Sequence, residues 1–157
     1  MNKSSLTNPH GKCSMRKIDL VIESCYDNID LVGICIESLS SELFDQPQCH
    51  NIKVVVYEAV TNCIKHSYQG KSGQAVHVTC QMEADRLLLD IADSGIAMDP
   101  QNIQSLSPHF HIDPDNLLEG GMGLKIIKLF MDDMHYQTKD GVNHLTLIKY
   151  NKPPSAP

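Results

Sequence analysis

Residues 58–66 of the chain have the sequence EAVTNCIKH. Glu58, Asn62 and His66 follow one another at intervals of four, so on a helix each side chain lies one turn above the last. A helix over about residues 49–67 is predicted, because apolar residues recur on one of its faces at helical spacing. These apolar residues are Ile52, Val55, Val56, Ala59 and Cys63. The polar stripe lies beside this face, at the edge of a core.

A polar stripe in that position has two interpretations. A carboxylate and a carboxamide one turn apart, Glu58 and Asn62, suit a hard cation. Mg²⁺ takes one or two protein oxygens and fills the rest of its shell with water and phosphate oxygens. The alternative is a solvated stripe that binds nothing, and the spacing alone leaves both interpretations open.

A second motif, DSGIA, begins at Asp93, where a buried strand is predicted to end. A carboxylate at a strand end can face a ligand, while the glycine that follows at Gly95 allows the backbone to turn sharply. The same pattern also fits an ordinary turn between strand and loop in which the aspartate caps the backbone.

A third motif, EGGMGL at residues 119–124, opens the last predicted helix. Glycines at a helix start let backbone amides approach an anion, and the helix dipole favours phosphate there. The chain has no GxxxxGK[ST] motif, and no strand is predicted directly before these glycines as a dinucleotide fingerprint requires. An ordinary glycine-rich turn is the alternative.

Outside the motifs, the period of the apolar residues changes several times. Strands are predicted at residues 18–22, 76–82, 87–91, 134–138 and 143–150, and helices at 26–43, 49–67 and 122–132. Pro47 is assigned to the break between the first two helices, and residues 94–120 are predicted to be a lid or binding loop. This order predicts an α+β fold, a two-layer sandwich of one mixed, mostly antiparallel sheet with helices on one face.

The totals limit the functional classes. A chain of 157 residues is predicted to be one domain over residues 16–150, with a flexible leader at 1–15 and a flexible tail at 151–157. A net charge of -6 argues against a nucleic-acid partner. The cysteines have no close, regular spacing, which favours a reducing compartment, and no apolar run is long enough to span a bilayer. A cytoplasmic protein is expected.

The three motifs in this order, with the long loop and a terminal hairpin, resemble the GHKL ATPase superfamily and its Bergerat fold. Within it, EAVTNCIKH and GGMGLKIIKLFMDDMHY, residues 120–136, resemble the bacterial anti-sigma-factor serine kinases. The resemblance extends over about residues 16–150 and implies ATP and Mg²⁺ as ligands. One departure is Ala97, where the superfamily prefers a glycine.

The resemblance also implies residue roles at the nucleotide. Asp93 would accept a hydrogen bond from the adenine amino group, and Gly95 would let the backbone pass beneath the base. Thr146 is a candidate for a water-mediated contact to adenine. Asn62 would bind Mg²⁺, and Lys65 would either reach a phosphate or remain solvated. The residues expected to surround the phosphates are Gly121, Met122, Gly123 and Leu124.

The implied activity is that of an anti-sigma factor which is also a serine-protein kinase. Glu58 would act as the general base toward a serine of a STAS-type anti-sigma antagonist, or would only order the waters of the metal. A non-catalytic ATP-binding adaptor is the alternative function. A histidine kinase module is disfavoured, because the leader is too short for the helices that carry its phosphoacceptor.

The resemblance implies a homodimer as well, with the first strand and helix as the candidate surface. No direct contact with nucleic acid or membrane is expected. His109 and His111 in the loop form an HxH pair, but no third ligand follows at a spacing typical of zinc.

Overall fold

The computed structural model describes residues 15–104 and 122–151. Its elements in chain order are β1 (Arg16–Glu23), α1 (Tyr26–Ser40), α2 (Gln46–Asn62), a π-helical turn (Cys63–Ser67), β2 (Ala75–Met82), β3 (Arg86–Asp93), α3 (Pro100–Gln104), α4 (Met122–Phe130), β4 (Asp133–Lys139) and β5 (Val142–Tyr150). The predicted leader and tail fall almost entirely outside the described residues.

The strands form one sheet in the order β1-β2-β3-β5-β4. Every neighbouring pair of described strands is antiparallel, so the sheet expected to be mixed is wholly antiparallel here. The helices α1, α2 and α4 pack side by side, with α2 in contact with both of the others. The predicted α+β class is therefore confirmed.

One continuous core joins the sheet to the helices. Side chains alternate along β2, where Val76 and Val78 are buried and His77 between them is exposed. The buried side chains of β3 meet those of α2, including Ile52 and Val56. Each fully buried aliphatic side chain contributes roughly 1.5–3 kcal/mol, so this layer holds α2 firmly above the middle of the sheet.

Helix α2 begins at Gln46, three residues before the predicted start. Asp45 caps it, accepting a hydrogen bond from the Gln48 amide at 2.9 Å, while the Gln48 side chain accepts one from the Asp45 amide at 3.4 Å. Pro47 lies in the first turn, where its missing N–H group costs no helical hydrogen bond. Assigning Pro47 to a break between helices was therefore wrong.

The other end of α2 continues as the π-helical turn, which the sequence did not predict. The Tyr68 amide donates to the Cys63 carbonyl at 2.9 Å, a spacing of five residues instead of four. Gln69 and Gly70 then adopt positive φ angles of 53° and 76°, and the chain leaves the helix. Such π-helical turns occur frequently at functional sites.

The segment predicted as a loop from residue 94 to residue 120 contains the short helix α3. Asp99 accepts a hydrogen bond from the Gln101 amide at 2.7 Å, and Pro100 occupies the first turn. Residues 105–121, with the HxH pair and Gly121, lie outside the described residues. No helix among the residues that the structure describes is long and apolar enough to cross a membrane.

The buried thiols of the core should react slowly with a thiol reagent. Burial raises the pKa of Cys80 to about 11 and also raises the pKa of Cys49. Because the thiolate is the reactive species, a raised pKa leaves little of it at mildly alkaline pH. Cys13 lies outside the described residues, so it is replaced by serine for this test. In that variant, we expect an Ellman titration of native protein to detect Cys25 and Cys35 rapidly.

Denatured protein of the same variant serves as the control, since all its thiols should react at once. Rapid reaction of Cys49 or Cys80 in native protein would contradict the described core. Raising the pH should accelerate the slow thiols, because it increases their thiolate fraction.

Candidate functional site

A cavity of about 660 Å³ lies beside the end of α2. Its walls are the last turns of α2 with the π-helical turn, the loop after β3, the start of α4, and part of β4 and β5. Of the residues singled out in the sequence, those that line the cavity are Glu58, Asn62, Lys65, His66, Asp93, Ala97, Met122, Gly123 and Leu124. The three motifs thus meet at one place.

The start of α4 lies directly against the polar stripe of α2. A Cβ atom added at Gly123 would lie 2.7 Å from Oε2 of Glu58 and 3.4 Å from the carboxamide oxygen and nitrogen of Asn62. Only glycine allows this approach without displacing the glutamate. The helix N-terminus, a carboxylate and a carboxamide therefore share one end of the cavity, where an anion with a divalent cation fits.

Asp93 lies at the other end and is only 5% exposed. Its Oδ1 accepts hydrogen bonds from the Gly95 amide and from the Asn143 carboxamide, each at 2.9 Å. Its Oδ2 accepts one from the Ser67 hydroxyl at 3.1 Å. Three donors stabilise the buried carboxylate, and Oδ2 retains capacity for a further donor from the cavity.

The Cys63 thiol lies beside this carboxylate. Burial raises the pKa of Cys63 well above its usual range. The negative charge of Asp93 and a hydrogen bond between the thiol and Asp93 raise the pKa of Cys63 further. The thiol is therefore protonated at neutral pH and can act only as a weak S–H donor toward Asp93.

Gly95 is required by close packing of two backbone segments. A Cβ atom at this position would lie 2.3 Å from the Ser67 carbonyl oxygen, a distance too short for any side chain. The Ile96 amide donates to the same oxygen at 2.8 Å, so the loop rests on the π-helical turn. Ala97 has no positive φ, so its backbone does not require a second glycine there.

Sequence reasoning missed Asn143 and chose Thr146 on the same strand. Asn143 pairs with Asp93 in the sheet, whereas Thr146 pairs with Asp90. The Thr146 hydroxyl donates to Asp90 at 2.8 Å on the sheet face away from the helices, and Thr146 does not line the cavity. The assignment of Thr146 to the site was therefore wrong.

The signal that would have corrected it is the alternation of side chains along a strand. Leu145 and Leu147 are buried against the helices, so Asn143 shares their face and Thr146 lies on the other. Two further cavity residues, Met98 and Tyr136, were not singled out, although Tyr136 ends the segment GGMGLKIIKLFMDDMHY. Nothing in the local sequence marks them, because only the tertiary fold brings them together.

The cavity is apolar between its two polar ends. Ile91 and Leu145 come from the sheet, and Ile96 comes from the loop after β3. A flat apolar ring that carries a hydrogen-bond donor fits beside Asp93, with an anionic group near α4. In the part of the chain that the structure describes, no three His, Cys, Asp or Glu side chains form a metal-binding group.

Comparison with known proteins agrees with this geometry. Residues 31–149 match the model of the histidine kinase-like ATPase domain. Serine/threonine-protein kinase BtrW of Bordetella bronchiseptica is 38% identical over 98 residues, which cover 62% of this chain and 68% of BtrW. Serine-protein kinase RsbW of Bacillus subtilis is 26% identical over 136 residues, with coverage of 85% and 84%.

The anti-sigma F factor of Clostridium acetobutylicum is 27% identical over 134 residues, which cover 85% of this chain and 92% of that protein. The family model spans most of the chain and includes the α2 stripe, Asp93 and the start of α4. The chain belongs to the histidine kinase-like ATPase domain family, in the branch of serine-protein kinases and anti-sigma factors.

Proposed function

We propose that this protein is a cytoplasmic serine-protein kinase and anti-sigma factor that binds ATP with Mg²⁺ and phosphorylates a STAS-type antagonist. It would regulate transcription by switching between the sigma factor and that antagonist. The observation that carries the proposal is the contact of Gly123 with Glu58 and Asn62, opposite Asp93 in one cavity. The names of the relatives support the same activity.

The two ends of the cavity suit the two ends of ATP. The adenine amino group would donate to Asp93, which already accepts three hydrogen bonds and is fixed in place. The phosphates would lie at the start of α4, where backbone amides and the helix dipole favour negative charge. Lys65 is exposed at the rim of the cavity, where its ammonium group would neutralise part of that charge.

Hard oxygen donors at the phosphate end fit a magnesium ion. Asn62 would hold Mg²⁺ through its carboxamide oxygen, and the ion would neutralise charge on the phosphates. Asn62 is half-buried on α2, which limits the rotation of its side chain. The residues present therefore fit the group that the family implies.

Glu58 would act as the general base. Its carboxylate would take the proton of a serine hydroxyl on the partner protein as the serine oxygen bonds to the γ-phosphorus. The bond between that phosphorus and the bridging oxygen breaks, and ADP leaves with the electron pair. Such a reaction needs mainly alignment and charge stabilisation. The close approach of the α4 backbone to the Glu58 carboxylate supports alignment and charge stabilisation at this residue.

We also propose a homodimer formed through β1 and α1. β1 is an edge strand of the sheet. Leu31 and Ile34 on α1 are 62% and 53% exposed, and Ile18 of β1 is 37% exposed. Large apolar side chains that share one helix face and continue onto an open sheet edge are typical of a surface that associates with protein.

Replacing Glu58 by glutamine tests the catalytic role. We expect transfer of labelled γ-phosphate from ATP-Mg²⁺ to a STAS-domain partner to fall by about 10²- to 10⁴-fold, because the amide cannot accept the proton. The affinity for ATP should change little, since glutamine keeps the shape of the side chain. Glu37→Gln on α1, outside the cavity, is the matched control and should transfer phosphate normally.

Equal transfer by wild type and Glu58→Gln would disprove the role as base. If ATP binds but wild type labels no partner, the non-catalytic adaptor is the correct function. Absence of ATP binding in wild type would refute the nucleotide site itself.

Replacing Asp93 by asparagine tests recognition of the base. The new carboxamide has only one acceptor oxygen, so it cannot accept the hydrogen bonds of Gly95, Asn143 and Ser67 together. Its NH₂ group would also place a donor against the adenine amino group, which is itself a donor. We expect the Kd for ATP, measured by calorimetry, to rise about tenfold to a hundredfold.

The matched control is Asp90→Asn, three residues earlier on β3. Asp90 bonds Thr146 and His144 on the sheet face away from the cavity, at 2.8 and 2.9 Å. The Asp90→Asn substitution should therefore leave the affinity for ATP unchanged. Equal losses in both variants would count against the assignment of Asp93.

The dimer is tested by introducing charge at its proposed surface. We expect Ile34→Asp to sediment as a monomer where wild type sediments as a dimer, because a buried, unpaired carboxylate opposes association. Leu129→Asp, at an equally exposed apolar position on α4, should remain dimeric. A monomeric wild type, or a dimeric Ile34→Asp, would refute the proposed interface.

A further inference from the structure

The loop after β3 is attached to two tyrosine hydroxyls, one at each end. The Ser94 amide donates to the hydroxyl of Tyr68 at 2.9 Å, and the Met98 amide donates to the hydroxyl of Tyr136 at 2.8 Å. Tyr68 follows the π-helical turn, whereas Tyr136 belongs to β4 at the far edge of the sheet. The loop thus spans the cavity between two anchors on different elements.

The two ends of the loop are held differently. Near Tyr68, the Gly95 and Ile96 amides add bonds to Asp93 and to the Ser67 carbonyl. At the Met98 end, the hydrogen bond to Tyr136 joins the loop to β4, at the edge of the sheet. Tyr136 is itself well placed as an anchor, since its ring packs against the core.

Met98 and Tyr136 both line the cavity, together with Ile96 and Ala97. The position of the Met98 backbone therefore sets the width of the cavity on this side. Asp99 directly follows Met98 and caps α3, so the Met98 backbone is continuous with the start of this helix. Releasing Met98 would let the wall and the helix after it move away from the ligand.

We propose that Tyr136 is a positioning residue of the nucleotide site, whose hydroxyl holds the Met98 wall against the bound nucleotide. This inference rests on the proposed ATP site. A wall that is ordered before binding costs no ordering entropy when the ligand enters. Glu58 belongs to α2, across the cavity, so Tyr136 should affect how long the nucleotide stays and not the transfer step.

The test is Tyr136→Phe, which removes the hydroxyl and keeps the ring in the core. We expect a fluorescent ATP analogue to dissociate about three to ten times faster in stopped-flow measurements, the effect of one lost hydrogen bond. The KM for ATP should rise by a similar factor while kcat is unchanged. Amide exchange of Met98 in ligand-free protein should accelerate, since its acceptor is gone.

Tyr150→Phe is the matched control. Its hydroxyl donates to the Asp133 carboxylate at 3.1 Å, in an exposed position outside the cavity. This variant should release the nucleotide at the wild-type rate. Unchanged release from Tyr136→Phe, or equally faster release from both variants, would overturn the proposal.

Failure of the ATP site is distinguishable from failure of this inference. If wild type does not bind the analogue, the proposed function fails and the role of Tyr136 fails with it. If wild type binds and Met98 exchanges at the same rate in Tyr136→Phe, the ATP site stands and the anchoring role is refuted.

Discussion

The rest of the site depends on the buried carboxylate of Asp93. Desolvating an ionised carboxylate costs several kcal/mol unless donors replace the lost water. The donors here come from three separate segments, namely the Ser67 hydroxyl at the end of α2, the Gly95 amide in the loop and the Asn143 carboxamide on β5. One charge thereby fixes the π-helical turn, the loop and the last strand relative to one another, and it forms one of the two polar ends of the cavity.

A second constraint, of a steric kind, sets the opposite end of the cavity. The backbone of α4 approaches the Glu58 side chain so closely at Gly123 that a single methyl group would collide with its carboxylate. The same device recurs at Gly95, where the loop touches the Ser67 carbonyl. Both glycines act by the absence of a side chain, Gly95 against the Ser67 backbone and Gly123 against the Glu58 carboxylate.

The sequence predicted those features that depend on local pattern. The strands and long helices follow from apolar periodicity, and the EAVTNCIKH and EGGMGL motifs stand out in the sequence alone. Features that depend on distant pairing were not predicted. Thr146 was preferred to Asn143 because only the register between β3 and β5 shows which of the two faces Asp93.

Smaller local effects explain the remaining differences. The early start of α2 depends on a reciprocal cap between Asp45 and Gln48, and α3 depends on a single aspartate cap. The π-helical turn has no sequence signature; its last residue, Ser67, accepts a hydrogen bond from Ile96 in the loop after β3. The roles of the cavity residues stay predictions, because the fold brings side chains together without showing what they bind.

The pairing of Asp93 with Asn143, fifty residues apart, also constrains synthesis and folding. The β2–β3 hairpin forms from neighbouring residues, whereas β5 can join β3 only after α4 and β4 have been made. A nascent chain that has not reached β5 holds the Asp93 carboxylate without its strand partner. The Asp93 end of the cavity is therefore completed late during translation, once β5 has paired with β3.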